Sequence, residues 1–150
     1  MQLTQKETSL LQDLRSQEQL CVTKYEKYAS AACDEQLKRL FTEIGRMEQT
    51  HLDTVNRMLS GTIPMMTGSG QQNGSTQPQP SACSQEEKAT DAYLCQDALG
   101  MEKHVSHTYD TCVFEFKDAN ARDTLNHIQK EEQQHGKRIY DYMAVNGMYS

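Results

Sequence analysis

Apolar side chains recur along this chain at alternating steps of three and four, the spacing of one face of an α-helix. The first stripe runs Leu11, Leu14, Glu18, Cys21, Tyr25, Tyr28 and Ala32. After Asp34 the steps resume at Leu37, Phe41, Ile44, Glu48, His51, Val55 and Met58. The second half repeats the arrangement with Cys95, Ala98, Glu102, Val105, Tyr109, Cys112 and Phe116. Beyond Asp118, a fourth stripe takes in Ala121, Leu125, Ile128, Glu132, His135, Ile139 and Tyr142. Asp34 and Asp118 are suited to cap helix N-termini, because an Asp carboxylate accepts the free N–H groups of a first turn. No run of alternating apolar residues predicts a strand. The pattern therefore predicts an all-α, single-domain chain over residues 1–150, with one helical hairpin in 5–60 and a second in 88–146.

The composition changes once, between the hairpins. Residues 61–87 hold all three prolines and half of the eight glycines, and read as a flexible linker rich in Gly, Ser, Gln and Pro. A connection of that length between the second and third helices predicts a four-helix bundle with a long crossover.

The chemistry lies in what interrupts the stripes. Glu18, Glu48, His51, Glu102, Glu132 and His135 occupy slots whose neighbours at three and four residues are mostly apolar. Four carboxylates buried together are costly unless something compensates their charge, and a pair of divalent cations would do so. Glu48-x-x-His51 and Glu132-x-x-His135 each set two ligands one turn apart on one helix face. One Glu from each of two helices plus one E-x-x-H from each of the others is the ligand set of a di-iron or di-manganese carboxylate bundle. Glu131 is the alternative to Glu132 if the fourth helix is rotated, and Glu43 is the corresponding risk on the second. Only Glu132 has the x-x spacing to His135.

A shift of 84 residues superposes Glu18 on Glu102, Tyr25 on Tyr109, Asp34 on Asp118, Ile44 on Ile128, Glu48 on Glu132, Gln49 on Gln133 and His51 on His135. A single E-x-x-H is a weak motif, but two of them in register with two core glutamates make a strong one. Tyr25 and Tyr109 lie two turns from the lone glutamates, as core tyrosines or as hydrogen-bond donors to the ligands. Cys21 reads as a small core residue. His104, His107 and His127 fall off the inner stripe and read as solvated.

These residues carry a resemblance. Both halves look like those of the ferritin-like superfamily, whose rubrerythrin branch has the same Glu…ExxH, Glu…ExxH order. The segment EKHVSHTYDTCVFEFKDANARDTLNHIQKEEQQHGKRIYDYM, from Glu102 to Met143, is similar to the Coat F family of spore coat proteins from endospore-forming Firmicutes. The opening QKETSLLQDLRSQEQLCVTKYEKYA and the Gln-rich linker look like its clostridial members. The resemblance implies a structural coat component on a ferritin-like bundle, made in the mother-cell cytoplasm, deposited in the spore coat and partnered by other coat proteins. It also implies two iron or manganese ions, held by Glu18 and Glu102 as lone carboxylates, Glu48 and Glu132 as bridges, and His51 and His135 as one terminal ligand each. The other functional expectations are a rubrerythrin-like peroxidase or oxidase, a manganese-catalase-like enzyme protecting against peroxide, and a metal-free assembly module. Two departures weaken the rubrerythrin route. The chain has no pair of C-x-x-C motifs, and Val105 stands where rubrerythrins carry a further glutamate, with Cys21 as its repeat-mate.

Charge and cysteine content narrow the setting. Fifteen Lys and Arg against 21 Asp and Glu give a net charge of −6, which disfavours nucleic acid as a partner. No apolar run is long enough to span a bilayer, and the N-terminus lacks a signal-peptide layout. Cys21, Cys33, Cys83, Cys95 and Cys112 form no C-x-x-C pair, which excludes a zinc ribbon. Against the cross-linked coat that the resemblance implies, Cys83 on the linker is the candidate for a disulfide between chains. Charged outer faces leave a homodimer along the bundle axis open.

Overall fold

The computed structural model describes residues 1–64 and 77–149. Four helices carry the fold: α1 (Gln5–Ala31), α2 (Glu35–Leu59), α3 (Gln85–Glu115) and α4 (Ala119–Val145). Their starts follow the capping chemistry. Asp34 accepts the Gln36 N–H and Asp118 accepts the Ala121 N–H. Thr4 and Ser84 form reciprocal capping boxes with Glu7 and Glu87. The Ser84 box starts α3 three residues earlier than the stripe predicts, so Lys88 lies in its first turn.

α1 packs against α2 and α3, and α4 packs against α3 and α2. Glu7 at the start of α1 meets Lys117 beyond the end of α3, and Asp91 near the start of α3 meets Cys33 beyond the end of α1. These contacts make α1 and α3 antiparallel. α2 and α3 therefore run in the same direction, and the chain must travel the length of the bundle between them. For the 25 residues of α2 that is about 37 Å. A long crossover is thus a geometric necessity.

The centre of that crossover, residues 65–76, lies outside the described residues, and with it the middle of the predicted linker. The described part does not run free of the bundle. Gln79 and Gln36 exchange two hydrogen bonds at 2.7 and 2.9 Å, and the Ser81 N–H donates to Asn146 Oδ1 at 2.7 Å. Ser81 is buried and Cys83 half-buried, its N–H on Ser81 Oγ. Cys83, the candidate for a disulfide between chains, therefore sits against the bundle rather than on a free linker.

All the residues of the four stripes are buried. Tyr25, Tyr28 and Phe41 form an aromatic cluster between α1 and α2, with ring centroids 5.3–5.9 Å apart. Gly45 lets the two backbones approach there, since a Cβ at that position would lie 3.2 Å from Tyr25 Cβ. No described helix is long and apolar enough to cross a membrane.

Candidate metal centre

The six residues singled out from the stripes converge at one level of the bundle. α1 supplies Glu18, α2 supplies Glu48 and His51, α3 supplies Glu102, and α4 supplies Glu132 and His135. Each is at most 2% exposed. They divide into two groups whose ligand atoms lie within 4.8 Å of one another: Glu18, Glu48, His51 and Glu132, and Glu48, Glu102, Glu132 and His135. Glu48 and Glu132 belong to both.

The geometry is close to two-fold symmetric, as the sequence repeat requires. His51 Nδ1 lies 2.8 Å from Glu132 and 3.7 Å from both Glu18 and Glu48. His135 Nδ1 lies 2.8 Å from Glu48, 3.6 Å from Glu102 and 3.9 Å from Glu132. The two rings stack with centroids 5.7 Å apart.

Few of these close approaches are hydrogen bonds. Both oxygens of Glu18 and of Glu48, Oε2 of Glu102 and of Glu132, and both nitrogens of His135 have no hydrogen-bond partner among the described residues. Native interiors rarely leave so many acceptors unmatched, and each costs about 1–3 kcal/mol. The chemistry of the donor set, oxygen and imidazole nitrogen from four helices, fits first-row divalent ions. Four carboxylates balance the charge of two such ions.

Without a cation, protons carry the compensation. Burial, and then the charges of Glu48 and Glu132, push the Glu18 carboxyl well above its ordinary range. Burial and the same two neighbours do this for Glu102. Burial opposes charge on the histidines, but the surrounding carboxylates outweigh it and hold both well above the usual imidazole value. Glu132 is desolvated too, yet its contacts with Glu102, His135 and His51 bring it well below the ordinary value.

Neighbouring side chains answer the remaining expectations. The Tyr25 hydroxyl donates to Glu102 Oε1 at 2.5 Å, so it braces a member of the cluster. Its repeat-mate Tyr109 is fully buried with its hydroxyl beside Glu18, without an aligned hydrogen bond among the described residues. Cys21 is buried, and desolvation together with the nearby carboxylates keeps it a thiol. Glu43 is on the surface, paired with Arg138 at 2.5 Å. His104 and His107 are exposed as expected.

His127 is the exception. Its side chain is 23% exposed and its Nε2 lies 3.3 Å from Glu131, which is itself buried and sits 3.0 Å from His51 Nε2. Glu131 and Glu132 thus both face the centre, one behind a histidine and one among the ligand atoms. The stripe missed this because a helix face is wider than one column of residues.

No curated protein and no solved structure matches the chain. The Coat F domain matches residues 90–150, which take in most of α3, all of α4, and Glu102, Glu132 and His135 of the cluster. The second hairpin therefore matches the Coat F domain, the domain of a family of spore coat proteins.

Proposed function

We propose that this spore coat component holds two iron or manganese ions between its four helices. Glu18, Glu48, His51 and Glu132 would surround one ion, and Glu48, Glu102, Glu132 and His135 the other, with Glu48 and Glu132 shared. The observation that supports this reading is the set of buried, unpartnered carboxylate oxygens at the bundle centre. A structural coat protein has no need of them, and an apolar core of the same volume would be at least as stable.

Such ions supply Lewis acidity and one-electron redox chemistry toward O₂ or peroxide. The chain's own residues fix the ligands and keep water out. Tyr25 holds Glu102 in place, while the stripes above and below the cluster seal it with Phe41, Ile44, Leu125 and Ile128. Assembly with other coat proteins would use the outer faces and leave the centre untouched.

The test is elemental analysis of protein produced with iron or manganese supplied. About two ions per chain are expected from the ligand count, falling sharply in Glu48→Ala and His51→Ala. Near-zero metal with an intact helical spectrum would leave a metal-free assembly scaffold. With metal bound, Fe(II) oxidation and H₂O₂ turnover would separate a storage or structural centre from an oxidoreductase.

A further inference from the structure

The two halves of the centre match in every ligand but differ in what stands behind the histidines. His51 presents Nδ1 to the carboxylates and Nε2 to Glu131 Oε1, 3.0 Å away. His127 Nε2 lies 3.3 Å from Glu131 in turn. His135 also presents Nδ1 to the carboxylates, but its Nε2 has no hydrogen-bond partner among the described residues. The repeat explains the difference. The position equivalent to Glu131 is Met47, which cannot accept such a bond, and the position equivalent to His127 is Glu43, which is engaged with Arg138 on the surface.

We propose that Glu131 is a positioning residue for His51 alone, and that the two halves therefore bind metal unequally, the His51 side filling first. The inference rests on the di-metal reading above. A carboxylate accepting the Nε2 proton fixes the tautomer that leaves the Nδ1 lone pair for the ion, and makes the imidazole a stronger donor. His135 lacks that help and must select its tautomer and ring orientation on binding. Removing such a partner typically weakens metal binding by about 10–100-fold.

The experiment is a titration of metal-free protein with Co(II), followed by calorimetry and by the visible absorption of the bound ion. Wild type is expected to bind two ions in steps separated by about tenfold or more. Glu131→Met, which copies Met47, should weaken the tighter step into coincidence with the other, and Glu131→Gln should restore part of the separation because its amide oxygen still accepts. The reciprocal Met47→Glu should tighten the weaker step. Two ions bound with equal affinity, or a tight step unmoved in Glu131→Met, would overturn the inequality and leave the metal centre standing. Equal weakening of both steps would show Glu131 to be merely structural. Wild type that binds no Co(II) would remove the centre itself.

Discussion

Glu7 and Asp91 perform the same task on opposite hairpins. Glu7 Oε2 accepts the Lys117 N–H at 3.0 Å in the α3–α4 turn, and Asp91 Oδ1 accepts the Cys33 N–H at 2.8 Å in the α1–α2 turn. Both donor and acceptor are related by the 84-residue repeat. Each hairpin therefore closes its turn with a buried carboxylate from the other, and the two halves stabilise one another far from the candidate metal centre.

Asp91→Ala should destabilise the protein by about 2 kcal/mol or more, because the N–H groups of both Cys33 and Asp34 lose their acceptor. Asp91 precedes Glu102 by about 16 Å along α3, so metal content should be unchanged. Urea unfolding and elemental analysis of the same variant check both halves of the expectation. A loss of metal at unchanged stability would contradict it.

The site glutamates should behave in the opposite way. Paired replacement of Glu18 and Glu102 by Met exchanges two buried carboxyls, of whose oxygens only Glu102 Oε1 has a hydrogen-bond partner among the described residues, for apolar volume. Metal-free protein should then become more stable by about 1–4 kcal/mol, while metal binding is lost. Thermal unfolding in the presence of a chelator reads the first effect, and metal content the second. A double variant less stable than metal-free wild type would mean that these carboxyls hold the bundle together.

The helices and the buried cluster of glutamates and histidines were legible because both follow from a single period. Each of the stripe residues predicted to face inward does so, from Leu11 to Tyr142, and Glu132, singled out by the E-x-x-H spacing, lies in both groups of clustered side chains. What escaped notice lies off that period or depends on pairing between halves. Asp91 and Glu7 belong to helix ends, where a carboxylate facing a turn looks like any polar first-turn residue. Their alignment under the 84-residue shift was the available signal, blurred by the Asp-for-Glu difference. His127 was placed in solvent because its column lies beside the stripe, whereas Glu131 draws it inward. The crossover residues beside Gln79 and Ser81 read as linker from composition, since side-chain bonds to Gln36 and Asn146 leave no periodic trace.

The two repeat tyrosines should be unequal. Tyr25→Phe removes the hydroxyl that donates to Glu102 and should cost about 1–3 kcal/mol in the metal-free protein. Tyr109→Phe removes a buried hydroxyl that lies beside Glu18 without an aligned hydrogen bond, and should cost less than Tyr25→Phe. Urea midpoints of the two variants decide the matter, and equal losses would contradict the asymmetry.

Stability of the metal-free protein should fall as pH rises, against the usual trend for an acidic chain. For Glu18 and Glu102, burial and neighbouring carboxylates raise the folded pKa above the ordinary 4.5, so the folded state keeps protons that the unfolded state releases. Their stabilising contribution is present below that value and is lost as pH climbs toward the folded pKa. His51 and His135 act in the same direction from a higher starting point. Burial disfavours their charge but the carboxylates prevail, so their contribution is whole below about 6.5 and disappears as pH passes through the raised value. Glu7 opposes this at the acid end. Burial works against its carboxylate, yet the N–H groups of Thr4 and Lys117 lower its pKa, and that stabilisation is lost as pH falls below the ordinary 4.5. The metal-free protein should therefore be most stable in mild acid. Bound metal takes the place of the protons, so uptake should release protons and strengthen with pH. Thermal unfolding across pH 4–9, with chelator and with Mn(II), tests both slopes. A metal-free curve that rises steadily to neutral pH would show that the buried cluster does not hold those protons.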